Sequence, residues 1–417
     1  MRIFLLLIIW AAPLLAAAQP DTTQQIVPGR TNSRQQQQKP YVILISVDGF
    51  RYDLADKYNA VNLKKLRERG VAAKAMIPSY PTLTFPNHYT IVTGLYPSHH
   101  GLVNNIFYDK KRNETYRLGD ARTVTDGSWY GGTPLWVLAE NQQMITASFY
   151  WVGSEAAIQG IRPTYWYKYN EKIDIDTRIQ VVKNWLTLPE EKRPHLITFY
   201  FPEVDHEAHD HGIDSKQTAE AVQLVDAAIG KMVRMTDSLK LPVNYIFLSD
   251  HGMMNIDTAH TLPKPAALDT AQFIVPPGLV LAHVYAKDPG AIMPAYTALK
   301  QDTQYYNVYL NTEIPARWHY DAKNDRYNRV GDMLLVPKPP KVFSFQGRRV
   351  KLGQHGFDNA LTDMHASFYA WGPAFKKRRQ IDPFENIHVY PLVAKILGLT
   401  ITDTIDGSLQ VLKPVLK

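Results

Sequence analysis

Three apolar runs set the framework of the chain: residues 41–47, 196–201 and 245–249 are nearly unbroken hydrophobic stretches. Continuous runs of this length, rather than strict alternation, mark strands buried on both faces of a parallel sheet. Each is followed at once or within a few residues by an acid, namely Asp48, Asp205 and Asp250. Between the runs, residues 62–69, 177–186 and 217–239 carry apolar side chains at helical spacing; in the last, Val222, Val225, Ile229 and Met232 share one face. Strands alternating with helices predict an α/β fold, a doubly wound, mostly parallel sheet with helices on both faces. Ligands of such sheets bind beyond the carboxyl ends of the strands, so the three aspartates are expected to meet at one edge.

The texture changes from about 255 to 350, where prolines, short strand-like pieces such as 279–285 and polar turns predict a small inserted α+β region capping the main sheet. The main domain resumes with Gly353-Gln354-His355-Gly356, a strand over 367–371 and a closing helix over 389–397. At the other end, Ile3 to Leu15 is uncharged and leads into Ala16-Ala17-Ala18. This reads as a bacterial signal peptide, residues 1–18, that would leave a periplasmic or secreted protein without a membrane anchor. Residues 19–39, rich in Gln, Thr, Ser and Asn, read as a disordered linker to a domain spanning 40–417.

A polar turn, Tyr80-Pro81-Thr82-Leu83-Thr84-Phe85-Pro86-Asn87-His88, interrupts the hydrophobic segments. Pro86 suits the first position of a helix ending at Gly94, which puts Thr84 just ahead of a helix N-terminus, where unpaired N–H groups favour an oxyanion. Thr84 is then either a helix cap or a nucleophile. Composition narrows the chemistry. The 417 residues include no cysteine, so a metal site must be built from His and carboxylates, a set that suits zinc. The net charge of +7 is dispersed except for Lys376-Lys377-Arg378-Arg379, which reads as a solvated loop, and no stable nucleic-acid complex or protein partner is expected. Asp48, Asp205, His209, Asp250, His251 and His355, with Thr84, offer six N/O ligands and a hydroxyl, more than one zinc needs and enough for two. Two ions ~3.5–4 Å apart can hold the attacking and leaving oxygens of a displacement at phosphorus.

Pro81-Thr82-Leu83-Thr84-Phe85-Pro86-Asn87-His88 with Thr93-Gly94-Leu95-Tyr96-Pro97, Ser249-Asp250-His251-Gly252-Met253 and His355-Gly356-Phe357-Asp358-Asn359 together resemble the nucleotide pyrophosphatase/phosphodiesterase family of the alkaline phosphatase superfamily. The resemblance runs from about Lys39 to the end and includes Phe384-Glu385-Asn386-Ile387. It implies a two-zinc site, with Asp48, Thr84, Asp250 and His251 on one ion and Asp205, His209 and His355 on the other. Thr84 would attack phosphorus to form a phosphothreonine, which water then hydrolyses. Asn105 and the backbone N–H of Phe85 would stabilise the transition-state oxygens.

The resemblance further places a base or other leaving group between Phe85 and Tyr200, with Leu118 and Tyr169 completing the pocket. It implies a small nucleotide or nucleotide diester as substrate and a nucleoside monophosphate as product. A basic residue used by nucleotide-cleaving relatives falls near Thr123, where only Arg122 could substitute. A lipid or choline phosphodiesterase, a phosphomonoesterase and a non-catalytic phosphate binder remain as alternatives. Among the other histidines, His206 and His211 lack the spacing of His209 from Asp205, and His365 reads as a hydrogen-bonding residue of the next strand.

Overall fold

The computed structural model describes residues 22–417, so the expected signal peptide lies outside the described residues. Its main sheet has nine strands. In spatial order they are Gln25–Ile26, Tyr165–Tyr167, Thr146–Phe149, Leu196–Phe201, Tyr41–Val47, Val243–Leu248, Phe368–Trp371, Val71–Ala73 and Arg379–Ile381. The central strands run parallel, and Phe368–Trp371 runs antiparallel to both of its neighbours. The sheet is therefore mixed, within the α/β class the hydrophobic runs predicted.

Alternation along one strand shows why its sequence is apolar throughout. Val42 and Leu44 join a core with the helices Thr84–Thr93, Leu135–Asn141 and Val389–Leu397. Tyr41, Ile43, Ile45 and Val47 face the other way, into a core with Val61–Arg69, Ile175–Leu186 and Lys216–Asp237. A strand with helices on both faces has no position left for a polar side chain, except Ser46, whose hydroxyl is hydrogen-bonded to His88 at 2.8 Å.

The inserted region forms an antiparallel sheet of Phe273–Ile274, Ala282–Ala286, Met333–Pro337 and Tyr306–Leu310, packed with the helix Ile292–Lys300 around its own small core. Its joint with the main domain is Arg329, 2% exposed. The guanidinium donates to Asp109 Oδ2 at 2.8 Å and to the carbonyls of Gly101 and Trp129 at 2.9 and 2.8 Å.

The leader read as a disordered linker is corrected for residues 22–39. Gln25–Ile26 pairs with Tyr165–Tyr167 and so forms one edge strand of the main sheet. The Asn32 side chain donates to the carbonyls of Glu190 and Arg193 and accepts from Ile145 N–H, while Gln36 donates to Gln142 O. Hydrogen bonds from backbone and polar side chains, such as Asn32 N–H to Glu191 O and Ser33 N–H to Gln143 O, hold this segment down. Among the described residues, no helix is long and apolar enough to cross a membrane.

Candidate active site

Thr84 is the first residue of the helix Thr84–Thr93, which begins two residues earlier than a start at Pro86, and Gly94 ends that helix in a left-handed conformation at φ 66°. The preceding residue, Leu83, supplies no side-chain cap, and the Thr84 hydroxyl is hydrogen-bonded instead to His251 Nε2 at 3.2 Å. The turn in front of the helix is held from within. Asn87 Nδ2 donates to Pro81 O and Leu83 O, its Oδ1 accepts from Ser79 N–H and from Asn386 Nδ2, and Thr82 Oγ1 donates to Phe357 O. The motif near the C-terminus thus braces the turn that carries Thr84.

Asp48, Asp205 and Asp250 do meet beyond the strand ends, and all three are buried. Asp48 follows Tyr41–Val47, Asp250 lies two residues past Val243–Leu248, and Asp205 sits with His209 on the helix Glu203–His211 that follows Leu196–Phe201. Two triads of ligand atoms each fall within 4.8 Å: Asp48, Asp250 and His251, and Asp205, His251 and His355. His209 Nε2 lies 3.5 Å from Asp205 Oδ2, and its ring centroid is 5.0 Å from that of His355.

The fit to a metal rests on two observations. First, Asp48 Oδ1, Asp205 Oδ1 and Asp250 Oδ2 are buried without a hydrogen bond, a costly state for a carboxylate that a cation relieves. Asp250 Oδ2 does lie 2.9 Å from His251 Nε2 and 3.2 Å from His88 Nδ1, so its relief is Coulombic rather than a well-aligned bond. Second, three histidines use Nδ1 on a backbone carbonyl: His209 on Gly353, His251 on Gly252 and His355 on Thr82. A donor on Nδ1 leaves the Nε2 lone pair for a metal. His88 is different: it engages Ser46 through Nε2, and Thr84 O and Asp250 through Nδ1. His365 is spent on Asn359 O through Nε2, His206 pairs with Glu171, and His211 pairs with Glu207.

The electrostatics follow from crowding. Burial, then Asp250 and Asp205, push the Asp48 carboxyl well above the usual range. Burial also opposes ionisation of Asp250, but His251 and His88 win and hold it well below that range. His251 is raised by Asp250 against its own burial, while burial with His251 and His209 keeps His355 well below the usual imidazole value and neutral.

A cavity of about 380 Å³ opens onto Thr84 and is lined by Phe85, Asn105, Leu118, Tyr169 and Tyr200. Leu118 and Tyr169 form its rim, 43% and 46% exposed. Asn105 Oδ1 accepts from the Phe85 N–H at 3.0 Å, so that amide is not a free donor; the Asn105 NH₂ remains for a substrate oxygen. Arg122 does not replace a basic residue here. It pairs with Asp120 at 2.8 Å with its side chain 84% exposed, and Thr123 is buried. The cavity lining contains no Lys or Arg and adds Trp151, Glu155 and Glu171, which reading the sequence missed because they come from loops that converge only in space. His88 was also missed, although its four-residue spacing from Thr84 was the available signal.

Residues 42–358 match the profile of the type I phosphodiesterase / nucleotide pyrophosphatase family. The chain belongs to that family. It is 35% identical over 372 residues to venom phosphodiesterase 2 of Crotalus adamanteus, covering 86% of this chain and 45% of that protein. Against ectonucleotide pyrophosphatase/phosphodiesterase family member 1 of Rattus norvegicus the identity is 34% over 382 residues, covering 87% and 41%. The chain therefore spans less than half the length of these curated relatives. Among solved structures, murine ectonucleotide pyrophosphatase/phosphodiesterase 5 superposes with a TM-score of 0.84 at 30% identity, covering 90% of this chain and 100% of the other. An inactive threonine-to-alanine variant of the same murine protein, in complex with AMP, gives 0.85 at 29% identity, covering 91% and 100%.

Proposed function

We propose that the protein is a zinc-dependent phosphodiesterase that hydrolyses nucleotides or nucleotide diesters to nucleoside monophosphates through a phosphothreonine at Thr84. The observation that carries this reading is a hydroxyl at the head of a helix, 3.2 Å from an imidazole of a buried ligand cluster, facing an aromatic cavity. Asp48, Thr84, Asp250 and His251 would hold one ion, and Asp205, His209 and His355 the second. Bound zinc supplies Lewis-acid stabilisation of phosphoryl oxygens and lowers the pKa of a coordinated hydroxyl or water. Thr84 Oγ forms a bond to phosphorus as the bond to the leaving oxygen breaks, and the departing alcohol or phosphate takes up a proton. Water then attacks the same phosphorus, the bond to Thr84 Oγ breaks, and the hydroxyl is restored. Asn105 steadies a non-bridging oxygen through its NH₂. Phe85 and Tyr200 flank the base, a platform tolerant of any base because every base has a π-face. The AMP held by the murine relative supports a nucleotide in this cavity.

A second reading has one observation in its favour. Aromatic walls with Glu155 and Glu171 and without Lys or Arg also suit a quaternary ammonium, hence a choline phosphodiester. Turnover of p-nitrophenyl thymidine 5′-monophosphate, p-nitrophenyl phosphate and p-nitrophenylphosphorylcholine separates the readings. The nucleotide ester is expected to be cleaved with the highest kcat/KM. Preference for the choline ester sinks the nucleotide reading, and preference for the monoester sinks both.

A further inference from the structure

Tyr200 carries a hydroxyl that its place in the cavity does not require. As a stacking surface opposite Phe85 it needs only a ring, and a second Phe would bury there without a polar atom. Instead the phenol of Tyr200, the penultimate residue of Leu196–Phe201, donates to Asp48 Oδ2 at 2.6 Å. Register brings the two together: Tyr200 pairs with Ser46 and Phe201 with Val47 across adjacent parallel strands, and the Asp48 N–H continues the ladder to Phe201 O at 2.9 Å. The result is an asymmetric carboxylate. Oδ2 is occupied by a short hydrogen bond, while Oδ1 is buried, has no hydrogen bond and lies 3.3 Å from His251 Nε2, inside the ligand triad.

We propose that Tyr200 is a positioning residue whose O–H pins Asp48 so that Oδ1 is presented to the metal, coupling the substrate's aromatic slot to the ion site. The proposal rests on the metal-binding reading given above. Without the phenol, Asp48 is free to turn about its last torsion and offer either oxygen, so the coordinated geometry is one of several. The ring that would receive the base is itself held, edge-on to His88 at 5.2 Å and tilted against Tyr169 at 6.1 Å. Outer-shell hydrogen bonds of this kind typically change metal affinity 10- to 100-fold when removed.

The test is Tyr200→Phe, which keeps the ring and deletes the hydroxyl. Zinc affinity is measured without substrate, by competition with a chromophoric chelator, alongside kcat and KM for p-nitrophenyl thymidine 5′-monophosphate. Affinity is expected to fall roughly 10- to 100-fold and kcat to drop at limiting zinc, with KM changed less than about twofold. On an Asp48→Ala background the same substitution is expected to add nothing, since its only route to the ion is removed. Melting curves recorded in chelator should keep a single cooperative transition for Tyr200→Phe as for wild type, excluding general unfolding. Unaltered zinc affinity, a loss confined to KM, or a further loss on the Asp48→Ala background would each overturn the proposal. Wild-type protein that binds no zinc would overturn the metal-binding reading with it.

Discussion

Two buried charge clusters invite comparison: the Arg329 joint between cap and main domain, and the aspartate cluster at the strand ends. At the joint the buried carboxylate and the cation satisfy one another. Arg329 meets Asp109 and two carbonyls, and Asp109 Oδ1 in turn accepts from Arg112 N–H at 2.9 Å. At the strand ends, three carboxylate oxygens are buried without a hydrogen bond, and three histidines spend Nδ1 on backbone carbonyls and turn Nε2 toward them. The charged groups of both regions are largely buried, so burial does not separate structural charge from functional charge. Saturation does: the paired, closed network ties cap to main domain, and the unpaired carboxylate oxygens of the open one are what the proposed function assigns to cations.

The largest effect expected falls on the open cluster. Thr84→Ala should lower kcat on p-nitrophenyl thymidine 5′-monophosphate by at least ~1,000-fold while elemental analysis still finds zinc, and Thr84→Ser should keep measurable turnover. Turnover by Thr84→Ala within tenfold of wild type would make the hydroxyl a bystander. In the closed network, Arg329→Met leaves Asp109 buried without its cation and should cost about 3–5 kcal/mol in urea unfolding with zinc content unchanged. The cap supplies a pH test. Burial holds His283 down to about 4, its Nδ1 donating to Val330 O at 2.8 Å. The unfolded ring takes up a proton near pH 6.5 while the folded one stays neutral. Stability is therefore intact above pH 6.5 and declines as pH falls toward 4, by about 3 kcal/mol from this residue. His283→Gln should flatten that part of the stability profile; an unchanged slope would show that the ring is not a buried neutral group. Smallest, and opposite in sign to Arg329→Met, Asp48→Asn should stabilise the chelated protein by about 1 kcal/mol, because it removes one of three crowded carboxylates. If both substitutions destabilise the chelated protein, the distinction between open and closed clusters fails.

How much of this was legible in the chain depended on what held each part. The strands Tyr41–Val47 and Leu196–Phe201 and the helix Val389–Leu397 fall where their apolar runs begin and end, because burial on both faces of a sheet leaves no polar position to blur the boundary. The approach of Asp48, Asp205 and Asp250 followed from the rule for strand ends. Residues 22–39 were misread because composition measures apolar content, whereas Asn32 and Gln36 anchor that segment by hydrogen bonds to backbone groups more than a hundred positions away. Glu155, Glu171 and Trp151 gave no local signal. Their meaning lies in facing one cavity, and that is a property of the loops' packing rather than of any spacing along the sequence.

The chain has no cysteine, yet the ligand set proposed above draws on positions 48, 84, 205, 209, 250, 251 and 355. Cations held there would knot five distant segments together, closing loops as long as the stretch from 84 to 205 in the way a disulfide framework does in small secreted domains. Such a clasp can be undone by a chelator or by acid, where a covalent bridge would need a reductant. On this view the metal is a fastening as well as a reagent, and an enzyme starved of it should be cut by proteases faster than one that is merely inactive through loss of Thr84.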